Sequence, residues 1–248
     1  MMNRKYSIKD WALGFLGLLG LALATPSAVA QNAAEGEDDA VTLEEFDPGT
    51  LVQQGVAMLE AQMGSSPDKR VPQKLLQTAK CVAIFPEITQ VGLGVGGKYG
   101  RGMVSCRRQD GSYGVPLFAR LTSLTIGLQA GVQQVSLLML IMSDKGLETL
   151  LTGKPMVGAQ AGVAAGPVGR EAGVDLDIFL QSPIVTYSRS KGLFAGAVLE
   201  GAAITRARRV NKELYGDFET TGELLFNRKE APEGVRAIQQ ALDKYAAS

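Results

Sequence analysis

Histidine is absent from this sequence of 248 residues. Its absence removes the side chain that serves most often as a general base near neutral pH and as a metal ligand. Cysteine occurs only twice, so without histidine the two thiols cannot complete a zinc site of nitrogen and sulfur ligands. The sequence also lacks a G-x-S-x-G nucleophile motif. These absences weigh against hydrolases built on zinc or on a serine–histidine pair, and we expect no metal and no cofactor.

Long apolar runs are also scarce. After residue 30 the best is Val135–Met142, which is too short for a bilayer span and is interrupted by Ser136. The first thirty residues combine a basic start, an apolar run at Trp11–Ala24 and a small-residue site ending at Ala30. This pattern predicts a secretory signal peptide, residues 1–30, that is removed on export. A retained membrane anchor is the competing interpretation, disfavoured by the short run.

Charge divides the rest of the chain into an acidic leader and a mildly basic body. Seven acidic residues and no basic residue lie in 31–47, which we expect to be a disordered linker. From Pro48 onward there are 22 basic and 17 acidic residues. Residues 48–248 are long enough for one domain with a substantial core. The balance favours an anionic surface as partner.

The two cysteines predict a disulfide. Cys81 and Cys106 lie in strand-like segments, and the chain between them is expected to turn back. Export would place them in an oxidising compartment, where such pairs form. No cysteine precedes Cys81, so the sequence offers no thiol near the cleavage site for a lipid anchor.

Apolar periodicity predicts helices at both ends of the body and strands between them. A first helix is expected to end at about Met63 and to start at either of two capping signals, Thr42-x-x-Glu45 or Asp47-Pro48. Further helices are expected at 72–79, 145–152, 206–215 and from 232 onward. Strands are expected at 82–85, 91–95, 102–107, 113–118, 124–133, 135–141, 156–165, 173–180, 184–189 and 193–204, with Pro86 ending the first and a turn at Gly96–Gly97. Alternating glycines favour tight curvature. The fold class is therefore α+β: a strongly curved, mainly antiparallel sheet or partial barrel flanked by N- and C-terminal helices.

Two patterns suggest chemistry and are better explained by structure. Gly92–Lys98 satisfies a glycine-rich phosphate-loop pattern, but Tyr99 replaces the hydroxyl residue and Gly100 opposes a following helix. Asp175 and Asp177 alternate with apolar residues, and as strand neighbours on one face they could bind calcium or hydrolyse a substrate. We interpret the pair as a solvated strand face, which leaves a carboxylate hydrolase as the least favoured function.

Basic clusters carry the main functional hypothesis. They lie before and around the first strands, beside a Ser-Lys-Gly turn with adjacent Leu and Phe, and on the helix expected at 206–215. Clustered cations attract anionic headgroups, and the apolar turn could insert shallowly. The candidate lipid-binding residues are Lys69, Arg70, Lys74, Lys98, Arg101, Arg189, Lys191, Leu193, Phe194, Arg206, Arg208, Arg209 and Lys212. Nucleic acid is not expected, because export separates the chain from it and few aromatics accompany the charge.

Two glycine-rich blocks resemble those of the SYLF domain family, also called Ysc84. They are Gly166–Arg170 and Ser190–Gly196, the second followed by Leu199–Gly201, and the resemblance runs from about Val71 to Gly216. It implies a domain that binds phosphoinositide-rich membranes in eukaryotic members, helped by an N-terminal amphipathic helix. Some of those members also bind actin.

The signal peptide and acidic leader depart from those eukaryotic members, so neither actin nor phosphoinositide is expected as a ligand here. We expect a non-enzymatic module that binds anionic phospholipid headgroups of a bacterial cell envelope. Its location would be the periplasm or the periphery of the outer membrane, without a lipid anchor or a mature transmembrane segment. The alternative is a structural module that binds an envelope protein.

Overall fold

The molecule is described by a computed structural model over most of the expected body. The described residues are 47–64, 70–153, 156, 162–166, 176–189, 199, 201–217, 220–228 and 230–247. The predictions for 1–30 and for most of 31–47 lie outside these ranges. Within them, no helix combines the length and apolar character needed to cross a bilayer.

Helix α1 spans Pro48–Met63, so it begins at the second of the two capping signals and ends where the sequence predicts. The Asp47 carboxylate caps it by accepting from the backbone N–H groups of Gly49 and Thr50, each at 3.0 Å. Proline in the first turn is preorganised for a helix, and Gly64 follows the last turn. The buried side of α1 includes Val52 and Leu59, which join the core.

Two long strands dominate the sheet. Strand β1, Cys81–Cys106, pairs antiparallel with β2, Leu117–Ile141, along almost its whole length. The predicted turn at Gly96–Gly97 is wrong, because both glycines pair within the ladder, and the predicted strand end at Pro86 is also wrong. Pro86 instead lies where the register shifts between Phe85 and Ile88. Such an irregularity accommodates a residue that lacks a backbone donor.

The β1–β2 hairpin coils back on itself. A 26-residue strand would span about 85 Å if straight, yet the Cα atoms of Cys81 and Cys106 lie 3.9 Å apart. Glycine permits the crossing: a Cβ on Gly102 would lie 2.4 Å from the carbonyl oxygen of Ile84, and one on Gly100 would meet Ile88 at 2.7 Å. These contacts confirm a strongly curved sheet.

Three shorter strands complete the sheet among the described residues. Strands β4, Ile184–Arg189, and β5, Ala202–Arg206, both pair antiparallel with β2. Twelve residues lie between the end of β4 and the start of β5, and twelve residues of β2 lie between the positions that pair with these two ends. The two strands therefore pair with β2 in the same register. Strand β3, Val163–Ala165, pairs parallel with β4. The sheet is open and mainly antiparallel, with the order β1-β2-β4-β3 and β5 against the start of β2.

Among the described residues, one short helix precedes the strands and two more lie between them. Helix α2, Gln73–Thr78, precedes β1, and α3 follows β2 at Asp144–Thr152. Ser143 caps α3 and Gly153 ends it in the left-handed region with φ 62°, as the sequence predicts. Helix α4, Leu176–Gln181, occupies residues that were predicted to be strand. That prediction is wrong, and Asp177 is an exposed residue of a helix; Asp175 lies outside the described residues.

The C-terminal part of the chain is mainly helical, and its last helix packs against α1. Helix α5 spans Arg208–Tyr215, so Arg206 belongs to β5 and not to the helix predicted from residue 206. A π-helical turn at Glu223–Asn227 and a 3-10 turn at Glu233–Val235 lead to α6, Arg236–Ala246. Helix α6 packs on α1 and α2. Helices at both ends of a mainly antiparallel sheet confirm the α+β class.

Candidate functional site

Helix α5 is fixed to the sheet by a buried amide. Asn211 is fully buried, and its side chain donates to the carbonyl oxygens of Phe118 and Ala207 and accepts from the Phe118 N–H, all within 2.9 Å. The Tyr215 hydroxyl donates to the Pro116 carbonyl at 2.6 Å, and burial raises the pKa of this phenol. These contacts hold the inner side of α5 against the start of β2. Its outer side is therefore oriented by the fold.

That outer side carries three cations. Arg208, Arg209 and Lys212 are exposed, with Arg208 and Lys212 one turn apart as predicted. Arg209 pairs with Glu213, and Lys212 pairs with Asp217, each at 2.9 Å. Both ion pairs are solvent-exposed, so each contributes only about 0.2–1 kcal/mol and can exchange for another anion. Arg208 and Arg209 also lie in the first turn, where the helix dipole disfavours positive charge.

Arg206 and Lys98 lie elsewhere. Arg206 is half-buried, and a guanidinium nitrogen reaches the Thr221 hydroxyl at 3.5 Å. Lys98 is only 6 % exposed, on the side of β1 that packs with Leu121 and its neighbours in the sheet. Neither side chain belongs to the open cationic surface formed by the outer side of α5.

Arg101 lies on the outer face of the hairpin, opposite Arg120 in the antiparallel ladder. Directly opposed residues have Cβ atoms about 5 Å apart, so the two side chains leave the same face of the ladder close together. Met103, two residues along β1, packs beneath Gly55 of α1, so Arg101 emerges beside that helix. The sequence did not single out Arg120, because only the register reveals its partner.

The remaining predicted residues are dispersed. Arg70 and Lys74 are exposed beside and within α2, and the backbone of Arg189 pairs with Ser136 at the end of β4. Four candidates lie outside the described residues: Lys69, Lys191, Leu193 and Phe194. The predicted set therefore falls on several elements, and among the described residues α5 is the element that displays three of its cations together.

The arginines of the 107–116 turn have structural partners. Arg107 donates to the carbonyl oxygens of Leu76 and Gly111 and stacks over the Tyr113 ring at 4.7 Å. Burial raises the pKa of Tyr113 to about 12, so its hydroxyl stays protonated and donates to the Leu76 carbonyl. Arg108 pairs with Asp110 at 3.1 Å. Arg107 therefore holds the turn against α2, and Arg108 binds a carboxylate within the turn.

Sequence reasoning missed an exposed apolar stretch on the hairpin. Val91 and Val132 oppose each other in the ladder and are 50 % and 71 % exposed, and Leu124 is 85 % exposed. The alternating pattern at 124–133 predicted a strand with one buried face. It could not indicate which apolar residues would stay in solvent, because that depends on the coiling of β1.

Within the described residues, no group of three or more cysteine or carboxylate side chains is placed to hold a metal ion. The Sγ atoms of Cys81 and Cys106 lie 1.98 Å apart, which is bonding distance for a disulfide. The site therefore offers cations, hydrogen-bond donors and exposed apolar side chains on a fixed scaffold. These groups suit the binding of an anionic surface.

Comparison with known proteins identifies the family. The family model for Ysc84, described as "Las17-binding protein actin regulator", matches residues 122–245, half of the chain. The chain belongs to the Ysc84 family. The match covers most of β2, the shorter strands and α5, so this part of the sheet and its cationic helix belong to the family domain.

Individual relatives extend this similarity toward the N-terminus. Protein YSC84 of Saccharomyces cerevisiae is 30 % identical over 182 residues, which are 72 % of this chain and 39 % of that protein. The human SH3 domain-containing YSC84-like protein 1 is 27 % identical over 182 residues, which are 73 % of this chain and 53 % of that protein. The chain thus spans about two fifths to one half of these Ysc84 relatives.

Proposed function

We propose that this Ysc84-family chain is a non-enzymatic module that binds anionic phospholipid headgroups at a bacterial cell envelope. The observation that carries the proposal is α5, whose inner side is fixed by Asn211 and Tyr215 while Arg208, Arg209 and Lys212 face solvent. Each cation near an anionic membrane surface contributes about 1 kcal/mol to binding. Three on one short helix give a useful local attraction.

Fold stability does not account for this arrangement of cations. Two of them oppose the helix dipole, and two form exposed ion pairs with Glu213 and Asp217. A lipid phosphate could take the place of those exposed carboxylates. The geometry therefore supports binding at a surface more than stabilisation of the fold.

Export gives this module its location in our proposal. The signal-peptide pattern at 1–30 would direct the chain out of the cytoplasm, to the periplasm or the periphery of the outer membrane. In that oxidising compartment Cys81 and Cys106, already at bonding distance, would form their disulfide.

A structural or protein-binding module is the second candidate. The family description names Las17 binding and actin regulation, so proteins are partners of at least some relatives. Actin is not expected in a bacterial envelope, but an envelope protein could bind the same surface. Catalysis by carboxylates is disfavoured by the helical setting of Asp177.

Charge reversal on α5 tests the lipid proposal. The variant Arg208→Glu/Arg209→Glu should bind anionic vesicles at least tenfold more weakly, because four units of charge change at the contact. Lys145→Glu/Lys244→Glu makes the same charge change at exposed positions of α3 and α6 and serves as the control. Co-sedimentation measures both.

If the two variants lost vesicle binding to the same extent, net charge alone would determine binding, and this result would contradict a site on α5. No vesicle binding by the unmodified protein, together with capture of a defined envelope protein through the same surface, would favour the second candidate.

A further inference from the structure

A small polar cleft lies between the start of α1 and the outer face of β1. Its volume is about 210 Å³, below the roughly 300–1,000 Å³ of sites for drug-sized ligands. The lining is mostly polar: Asp47, Thr50, Leu51, Gln54, Glu87, Thr89, Tyr99, Gly100 and Arg101. The size and polarity suit a compact, highly polar group.

The cationic side of this cleft is built for phosphate. Arg101 lines the cleft, and Arg120 lies directly opposite it on β2. A guanidinium binds phosphate oxygens through paired N–H groups.

The anionic side is built for an ammonium group. Asp47 accepts from two backbone N–H groups and from the Thr50 hydroxyl, and these hydrogen bonds, led by that of the hydroxyl, lower its pKa and keep it ionised. Glu87 accepts from the Gln134 amide at 2.9 Å. A carboxylate offers about four acceptor positions, so both groups can accept further hydrogen bonds.

Exposed apolar side chains continue the same face. Residues two apart on a strand share a face, so Val91 follows the cleft residues Glu87 and Thr89 along β1. Val91 and its ladder partner Val132 are both largely in solvent. A polar cleft bordered by exposed valines matches the boundary between headgroups and acyl chains.

We propose that this cleft binds the zwitterionic phosphoethanolamine headgroup of a membrane lipid, with its phosphate at Arg101 and Arg120 and its ammonium at Glu87 and Asp47. The inference rests on the proposed lipid-binding function and names a headgroup for it. Helix α5 supplies attraction to an anionic surface, and the cleft supplies selectivity. A primary ammonium donates three hydrogen bonds to carboxylates, whereas the trimethylammonium of choline donates none and favours aromatic cages. Tyr99 is the one aromatic residue lining the cleft.

The test uses vesicles with the same fraction of anionic lipid and either phosphatidylethanolamine or phosphatidylcholine as the remainder. The purified protein should bind the ethanolamine vesicles about tenfold more tightly, the effect of one charge-assisted hydrogen bond. Glu87→Gln should abolish this preference while binding to the choline vesicles persists. Glu60→Gln removes an exposed carboxylate from the far part of α1 and should leave the preference unchanged.

A second arm uses soluble phosphoethanolamine and monitors amide resonances of the cleft residues by NMR. Shifts in the protein that disappear in Glu87→Gln support the site independently of any membrane. Equal binding to both vesicle types would overturn the inference and leave the lipid proposal intact. Shifts with the soluble compound but no vesicle preference would overturn the lipid source, since a free phosphomonoester would then be the ligand. If neither the chemical-shift changes nor the vesicle preference is observed, the cleft is not a headgroup-binding site.

Discussion

At the scale of single residues, glycine determines how closely β1 can cross itself. The hydrogen-bonded hairpin continues through Gly100 and Gly102 while the chain at Ile84 and Ile88 passes over them. A side chain at either glycine would meet backbone, which cannot move aside as a flexible side chain can. The position of the outer face beside α1 therefore depends on these glycines.

Replacing Gly102 should destabilise the protein. In Gly102→Ala the new Cβ would lie 2.4 Å from both the Ile84 carbonyl and the Phe85 ring, so we expect a loss of about 1–3 kcal/mol in the free energy of unfolding. Chemical denaturation measures it. Gly234→Ala is the control, because its Cβ would meet nothing within 4 Å and should change stability by less than about 0.5 kcal/mol. Equal effects of both substitutions would contradict the close crossing.

Lys98 and Arg101 show that the type of a residue does not determine whether its side chain is buried or reaches the surface. Both are basic residues in a glycine-rich segment, and the sequence assigned both to a cationic surface. The register places them on opposite faces of β1, so Lys98 is buried while Arg101 reaches a cleft. The difference depends on pairing with Ser123 and Arg120, more than 15 residues away, which local patterns do not encode.

At the scale of elements, helix ends that carry local capping residues were predictable and strand ends were not. Asp47, Pro48 and Gly64 delimit α1 by local capping, and Ser143 and Gly153 delimit α3 in the same way. Strand ends depend on partners: Gly96–Gly97 has a turn-like composition but stays paired with β2. Helix α4 was mistaken for a strand because six residues are too few to distinguish the two periods.

The paired cysteines should stabilise β1 in its coiled form. Cys81 and Cys106 are 25 residues apart and fully buried. A disulfide closing a loop of this length stabilises a protein by about 3 kcal/mol through the unfolded state. Cys81→Ala/Cys106→Ala should lose about that much in denaturation, and wild-type protein unfolded and refolded under reducing conditions should match the variant. Identical stability of oxidised and reduced wild-type protein would contradict the bond.

At the scale of the whole molecule, the scaffold separates two kinds of surface. One is the outer side of α5, fixed against β2 and carrying three exposed cations. The other is the outer face of the coiled hairpin, with its cleft and exposed valines. The family relationship was predictable from the two glycine-rich blocks, whereas the hairpin face emerges only from the fold.

The most direct measurement of the central proposal is the binding of the purified protein to anionic and to neutral vesicles as a function of salt. Screening over about 10 Å at 0.1 M ionic strength weakens attraction between exposed charges. We predict strong binding to anionic vesicles at low ionic strength that declines steadily as salt is added, and weak binding to neutral vesicles throughout. The account would be contradicted if the protein failed to bind anionic vesicles at low ionic strength.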